Sequence, residues 1–216
     1  MIISFRVIED SQSGSRHGLT GRLVIVFLSM TVSQLVGSAF NIAYNIFHLE
    51  PLLSKEQVEQ FEKWVAIYNL SVYPPLVVLW AYVVFSLRKI LPAERLLAQQ
   101  RRVIHLPMWA SAIAFVGWIM TIPVLLFGLS QLPEEVSGAC VFHLSVSVIL
   151  STVVAISLGY LLMDWIRMWL LYPYFFDKIS PSKIKNAIGL SVMGRGVLWT
   201  ISACVSPVLA LSLIHI

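Results

Sequence analysis

Leu23 to Leu49 contains no Asp, Glu, Lys or Arg. The same is true of Val65 to Leu87, Leu106 to Leu129, Ala139 to Met163, and everything from Val197 onward. A helix needs about 20 apolar residues to cross the hydrocarbon core of a bilayer. Charged residues make up only 12% of the chain, against about 25% in an average soluble domain. With a mean hydropathy of +0.82, most of this surface does not face water. The expected fold class is therefore all-α: a polytopic membrane helix bundle. It has five spans, at 23–49, 65–87, 106–129, 139–163 and 197 to the end, out of six in the parent protein.

The segments between these runs set the direction of each crossing. Arg88 to His105 carries Arg88, Lys89, Arg95, Arg101 and Arg102 against Glu94 alone. A short basic segment between two apolar runs stays on the cytoplasmic side. With that loop inside, residues 1–21 are a mobile cytoplasmic tail and 164–195 a second cytoplasmic loop. Residues 50–64 and 130–138 are then external. Of the 15 Lys and Arg, only Lys55 and Lys63 fall outside under this assignment. The expected location is the cell membrane, multi-pass, with the N-terminus cytoplasmic. The expected partner is the lipid bilayer. The net charge of +4 sits in loops beside apolar runs, which reads as topology and headgroup contact, not nucleic acid.

Local patterns refine the spans. In the first, Ser29, Ser33 and Gly37 make a small-residue face that lets a neighbouring helix approach. Gln34, Ser38, Asn41, Asn45 and His48 make a polar face. Polar groups facing lipid are costly, so this face looks into the bundle and serves interhelical hydrogen bonding. A ligand-sensing or conducting face is the less favoured reading. Ser54 with Gln57 predicts a capping box for a short external helix, followed by Trp64 and Tyr68 at the outer interface. Pro74 and Pro75 predict a kink in the second span. Ala110, Ala114 and Gly117 give the third span a small-residue face. Ser147, Ser151, Ala155 and Gly159, spaced by four, mark the fourth span as the one packed deepest. Trp165, Trp169, Tyr172 and Tyr174 form an inner aromatic belt. Ser180 and Pro181 read as a helix start, and Gly189, Gly194 and Gly196 as a loosened approach to the fifth span.

The chemistry read from sequence is sparse. No span as bounded above contains Asp, Glu, Lys or Arg, which argues against proton or sodium coupling. Nucleotide-binding, zinc-protease and serine-hydrolase motifs are missing. Cys140, His143 and His48 have no metal-ligand spacing, and Cys140 with Cys204 makes no disulfide framework. No residue is assigned as catalytic, cofactor-binding or metal-ligating, and no cofactor is expected in this chain.

Three segments carry a resemblance: Q-R-R-V-I-H-L-P ahead of Trp118; R-M-W-L-L-Y-P-Y-F-F, with Arg167 before Pro173; and G-L-S-V-M-G-R-G-V-L-W-T-I-S-A-C-V-S-P, with Gly189, Arg195, Trp199 and Pro207. The pattern, best over 88–210, resembles the six-helix membrane domain of mycobacterial-type class III adenylate cyclases. In that family a HAMP linker and a catalytic domain follow. The resemblance implies a membrane sensor or anchor domain of a signalling protein, working as a homodimer. Neither HAMP nor cyclase residues are present, so no catalytic position is carried over. The alternatives are a small-molecule transporter or channel, and the input domain of a chemotaxis-type receptor.

The last residues, L-S-L-I-H-I, read as the translation of CTG-TCT-CTT-ATA-CAC-ATC, a widely used transposon sequencing adaptor. The bundle is thus expected over 22–210, with 211–216 an artefact and the chain a fragment.

This topology is tested by reporter fusions at Glu56 and Gln99. The expected signals are external at Glu56 and cytoplasmic at Gln99; a cytoplasmic signal at Glu56 contradicts the assignment.

Overall fold

A computed structural model describes residues 3–88, 93–176, 181, 184, 191–205, 208 and 212, with backbone alone for 3–17, 93–95 and 192. The described residues are helical, with no strand among them. The long elements are α1 (Ile3–Tyr44), α2 (Lys55–Phe85), α3 (Ala93–Ile119), α4 (Thr121–Leu129) and α5 (Gly138–Leu170). Short helices α6 (Tyr172–Phe175) and α7 (Val192–Thr200) follow. Four stretches are long and apolar enough to cross a membrane: Gly18–Leu52, Lys55–Arg88, Leu96–Leu129 and Gly138–Leu170. The exterior agrees, since Leu35, Phe47, Leu70, Val78 and Tyr82 all stand exposed. Monomeric soluble proteins rarely expose contiguous apolar patches above a few hundred Å². The fifth expected span is described at 197–205, 208 and 212; its Pro207 lies outside the described residues, as do the proposed Ser180 cap, Gly189 and most of 211–216.

α5 is the centre of the bundle, packed most extensively against α1 and α3. Half of its most apolar window is buried, against 17% for α2, which lies at the periphery. Small residues produce this closeness. Ser147, Ser151, Ala155 and Gly159 are all buried on α5, and Ser29, Ser33 and Gly37 on α1. The helices run antiparallel, so the two rows mesh. A Cβ built on Gly37 would stand 2.6 Å from Ala155 Cβ, and one on Gly159 would stand 2.9 Å from Ser33 Oγ.

Several sequence-based boundaries change. α1 starts at Ile3, inside the stretch read as a tail, so the helix of the first span extends back into it. The capping box at Ser54 is present, Ser54 Oγ accepting from Gln57 N and Gln57 Oε1 from Ser54 N at 3.1 Å. The helix it starts is not a separate external one, because no breaker lies between Lys55 and the second span. α2 continues unbroken to Phe85, through Pro74 and Pro75. Tyr68 is not at an interface: it is buried, and its hydroxyl donates to Gly117 O across the bundle. From Ala93 on, the basic segment and the third span form one helix, which yields at Met120 into α4. Pro123 explains the break, since it cannot donate to the Ile119 carbonyl. α5 passes Met163 and runs to Leu170, so Asp164 and Arg167 lie on a spanning helix. The reading that left every span free of charge is thereby corrected. Gly194 and Gly196 are inside α7, which begins upstream of Val197 with Ser191 as its cap.

Leucine on the meshed rows separates two backbones, whereas leucine at half-buried Ser145 does not. Gly37→Leu and Ser151→Leu should each cost about 2 kcal/mol or more, and Ser145→Leu less than about 1 kcal/mol. Thermal unfolding of the purified variants in detergent measures the difference.

Candidate functional site

Polar groups in the bundle fall into three places. The first continues the α1–α5 seam. Ser147 Oγ donates to Asn45 Oδ1 at 2.6 Å and accepts from Asn41 Nδ2 at 2.8 Å, while Asn45 Nδ2 donates to Asn41 Oδ1 at 3.1 Å. These three side chains close a small ring of hydrogen bonds. One step further, the Tyr44 hydroxyl meets His143 Nδ1 at 3.1 Å, and the His48 ring stacks on His143. At Asn41, Asn45 and His48 the polar face read from the sequence makes interhelical contacts, as favoured there, with Tyr44 an unanticipated member. Among the described residues no group of three His, Cys, Asp or Glu is placed to hold a metal. Cys140 is buried and Cys204 exposed, both as free thiols.

The second place is a cleft of about 300 Å³ where α1, α2 and α3 splay. Its walls are mainly apolar, with Phe27, Leu76, Trp80 and Ile113 among them. Gln34, at the upper end of the same polar face, points elsewhere than Asn41 and Asn45. Its Oε1 accepts from Trp118 Nε1 at 2.7 Å. An indole N–H only donates, so this bond fixes which amide atom faces Trp118. The amide nitrogen is buried and has no partner among the described residues. Ser38, Asn69 and Tyr73 add polar edges to the cleft.

The third place was missed in the sequence. At the α5 end away from Ser137, Asp164 and Arg167 form a buried ion pair, both nearly excluded from solvent. Arg195, on α7, donates to the other Asp164 oxygen at 2.9 Å. Arg167 also donates to the Ile104 carbonyl and reaches Val103 O at 3.5 Å. Pro107 lies inside α3 and lacks an N–H, so the Val103 carbonyl has no helical donor. Arg167 occupies that gap. The Tyr172 ring lies under the guanidinium, 5.4 Å from it. Burial pushes the Tyr172 phenol above its ordinary range, an effect the Arg167 charge opposes. Neighbouring bonds gather the same end: Arg22 Nη1 donates to Leu170 O at 2.9 Å and Gln100 Nε2 to Phe175 O at 2.8 Å. Each satisfies a carbonyl that a helix end leaves free. The spacing D-x-x-R, with a proline one helix away, was the available signal. A span ended at Met163 hid it.

The chain matches no protein-family model, no curated protein and no solved structure.

Asp164 is shared by two arginines. Asp164→Ala leaves a buried Arg167 without its counter-charge, and a broken buried pair costs about 3 kcal/mol or more. Arg195→Gln removes only the half-exposed partner and should cost less than about 1 kcal/mol. Denaturation midpoints of the two variants give the comparison.

Proposed function

We propose that this chain is the membrane sensor and anchor domain of a signalling protein, the N-terminal part of a class III adenylate cyclase. The observation that carries the reading is the Asp164 node. It ties the central helix α5 to α3 through Arg167 and to α7 through Arg195. α7 follows the four spanning helices in the chain and packs against α5, so a shift of α5 against α3 changes what holds α7. An input domain needs such a joint, because a signal inside the bundle acts only by moving an element that leaves it. In the full protein the output is a homodimeric cyclase reached through a HAMP linker, as the resemblance implies.

Charge placement favours sensing over coupled transport. Asp, Glu, Lys and Arg in the four spanning stretches lie toward their ends: Arg22 and Glu50 in the first, Lys55, Glu56, Glu59, Glu62, Lys63 and Arg88 in the second, Arg101 and Arg102 in the third, Asp164 and Arg167 in the fourth. Ion-coupled carriers keep such groups at depth.

Sealed phospholipid vesicles containing the purified chain separate this reading from a transporter or channel. The expected leak of potassium and of a small fluorescent solute equals that of protein-free vesicles. Flux more than about twofold above that baseline overturns the sensor reading. The complete gene, expressed in a cyclase-deficient bacterium, is expected to restore cyclic AMP; a complete gene with no soluble domain overturns the cyclase assignment.

A further inference from the structure

We propose that the cleft between α1, α2 and α3 binds a neutral lipophile, gripping it by a carbonyl oxygen that accepts from the Gln34 amide. Three observations lead there. The amide nitrogen is buried with no acceptor among the described residues, and the Trp118 bond prevents the amide from flipping to hide it. A buried donor left unmade costs roughly 1–3 kcal/mol, so an acceptor is favoured there; the nitrogen is sealed from the cleft in this structure, and the ligand oxygen reaches it as the Gln34 side chain shifts toward the cleft it lines. The cleft beside it, about 300 Å³, is at the lower end of the size of small-molecule sites. Its walls, Phe27, Leu76, Trp80 and Ile113, suit an alkyl or isoprenoid body.

Charge and depth narrow the ligand. None of the residues lining the cleft is ionised at neutral pH. A carboxylate or ammonium there would be buried without a counter-charge, so the ligand is neutral. The lining positions fall near the middle of the three spanning stretches Gly18–Leu52, Lys55–Arg88 and Leu96–Leu129. Phospholipid ester carbonyls lie at the edge of the hydrocarbon core, about 15 Å from its midplane. A bilayer phospholipid therefore presents only its tails at Gln34 and leaves the donor unmet. The ligand class that fits carries its carbonyl into the core: a long-chain ketone or a quinone with an apolar tail. The entrance is lateral, beside exposed Leu35 and Val77, so the ligand arrives through lipid.

The proposal deepens the sensor reading by naming what that bundle would sense, but its test does not depend on signalling. The full chain is placed in phosphatidylcholine–phosphatidylglycerol vesicles. It is then labelled with a long-chain ketone bearing a diazirine and an alkyne, or with the matched hydrocarbon probe lacking the carbonyl. The expected result is adducts on α1, α2 and α3 lining residues, at least about tenfold stronger for the ketone and competed by unlabelled ketone. Gln34→Leu should abolish that preference while tail labelling persists. Val77→Trp, at the exposed mouth and away from the Gln34–Trp118 bond, should reduce labelling by both probes. Equal labelling of wild type by the two probes overturns the proposal and makes the cleft a groove for lipid tails. So does exclusion of both probes with crosslinking between chains across the cleft, which makes it a contact between copies. A vesicle leak would sink the sensor reading but leave the labelling pattern intact, so the two failures are distinguishable.

Discussion

Hydrocarbon offers no hydrogen-bond partner, and that constraint shapes nearly every polar contact in this bundle. Backbone groups are satisfied by running as helices for the whole crossing. Side-chain amides and hydroxyls then have to find one another, and the α1–α5 seam is where they do. Small residues bring the two helices close enough for Asn41, Asn45 and Ser147 to close their ring. Without that approach the same amides would face lipid or empty space. The seam is thus both a packing surface and a condition for burying the polar residues beside it.

The same constraint accounts for the features away from the seam. Pro107 interrupts the hydrogen-bond ladder of α3, and Arg167 reaches across from α5 toward the carbonyls at the gap. Burying a guanidinium is costly unless it is paired, so Asp164 stands one turn away. The freed carbonyl, the cation and the anion form one unit, and Arg195 attaches α7 to it. Some buried polar atoms stay unmet, on Trp64, Gln100, Ser111, Arg167 and Arg195 as well as on Gln34. The Gln34 oxygen is used by Trp118 and its nitrogen by no group among the described residues. Of the residues with an unmet buried atom, Gln34 is the one that lines the cleft, and that is what separates a binding site from more structural glue.

Much of this was legible in the sequence because the relevant signals are periodic. Ser147, Ser151, Ala155 and Gly159 recur every four residues, which puts them on one helical face wherever the helix sits. Their burial follows from that spacing alone. The Asn41–Asn45 stripe and the Ser54 cap were readable for the same reason. Less was legible where structure depends on a partner far along the chain. Tyr68 has the amphipathic character of an interfacial residue, and only the position of Gly117 turns it inward. Asp164 and Arg167 look like loop charges until α5 is known to continue to Leu170. The cleft was the least visible, since it exists only where three helices diverge. Gln34 was singled out, but its stripe companions satisfy one another while it does not.

The central claim is that α1 and α5 mesh directly through their small residues. A disulfide across the seam tests it most directly. A Cβ on Gly159 would lie 3.5 Å from Ser33 Cβ, within reach of disulfide geometry. Ser33→Cys with Gly159→Cys is made in a background where Cys140 and Cys204 are replaced by Ala, and is oxidised in native membranes. Leu35→Cys with Ile149→Cys, two exposed positions, serves as the control. The meshed seam requires rapid intramolecular crosslinking of the first pair and none of the second. Failure of the first pair to crosslink, or equal crosslinking of both, would contradict it.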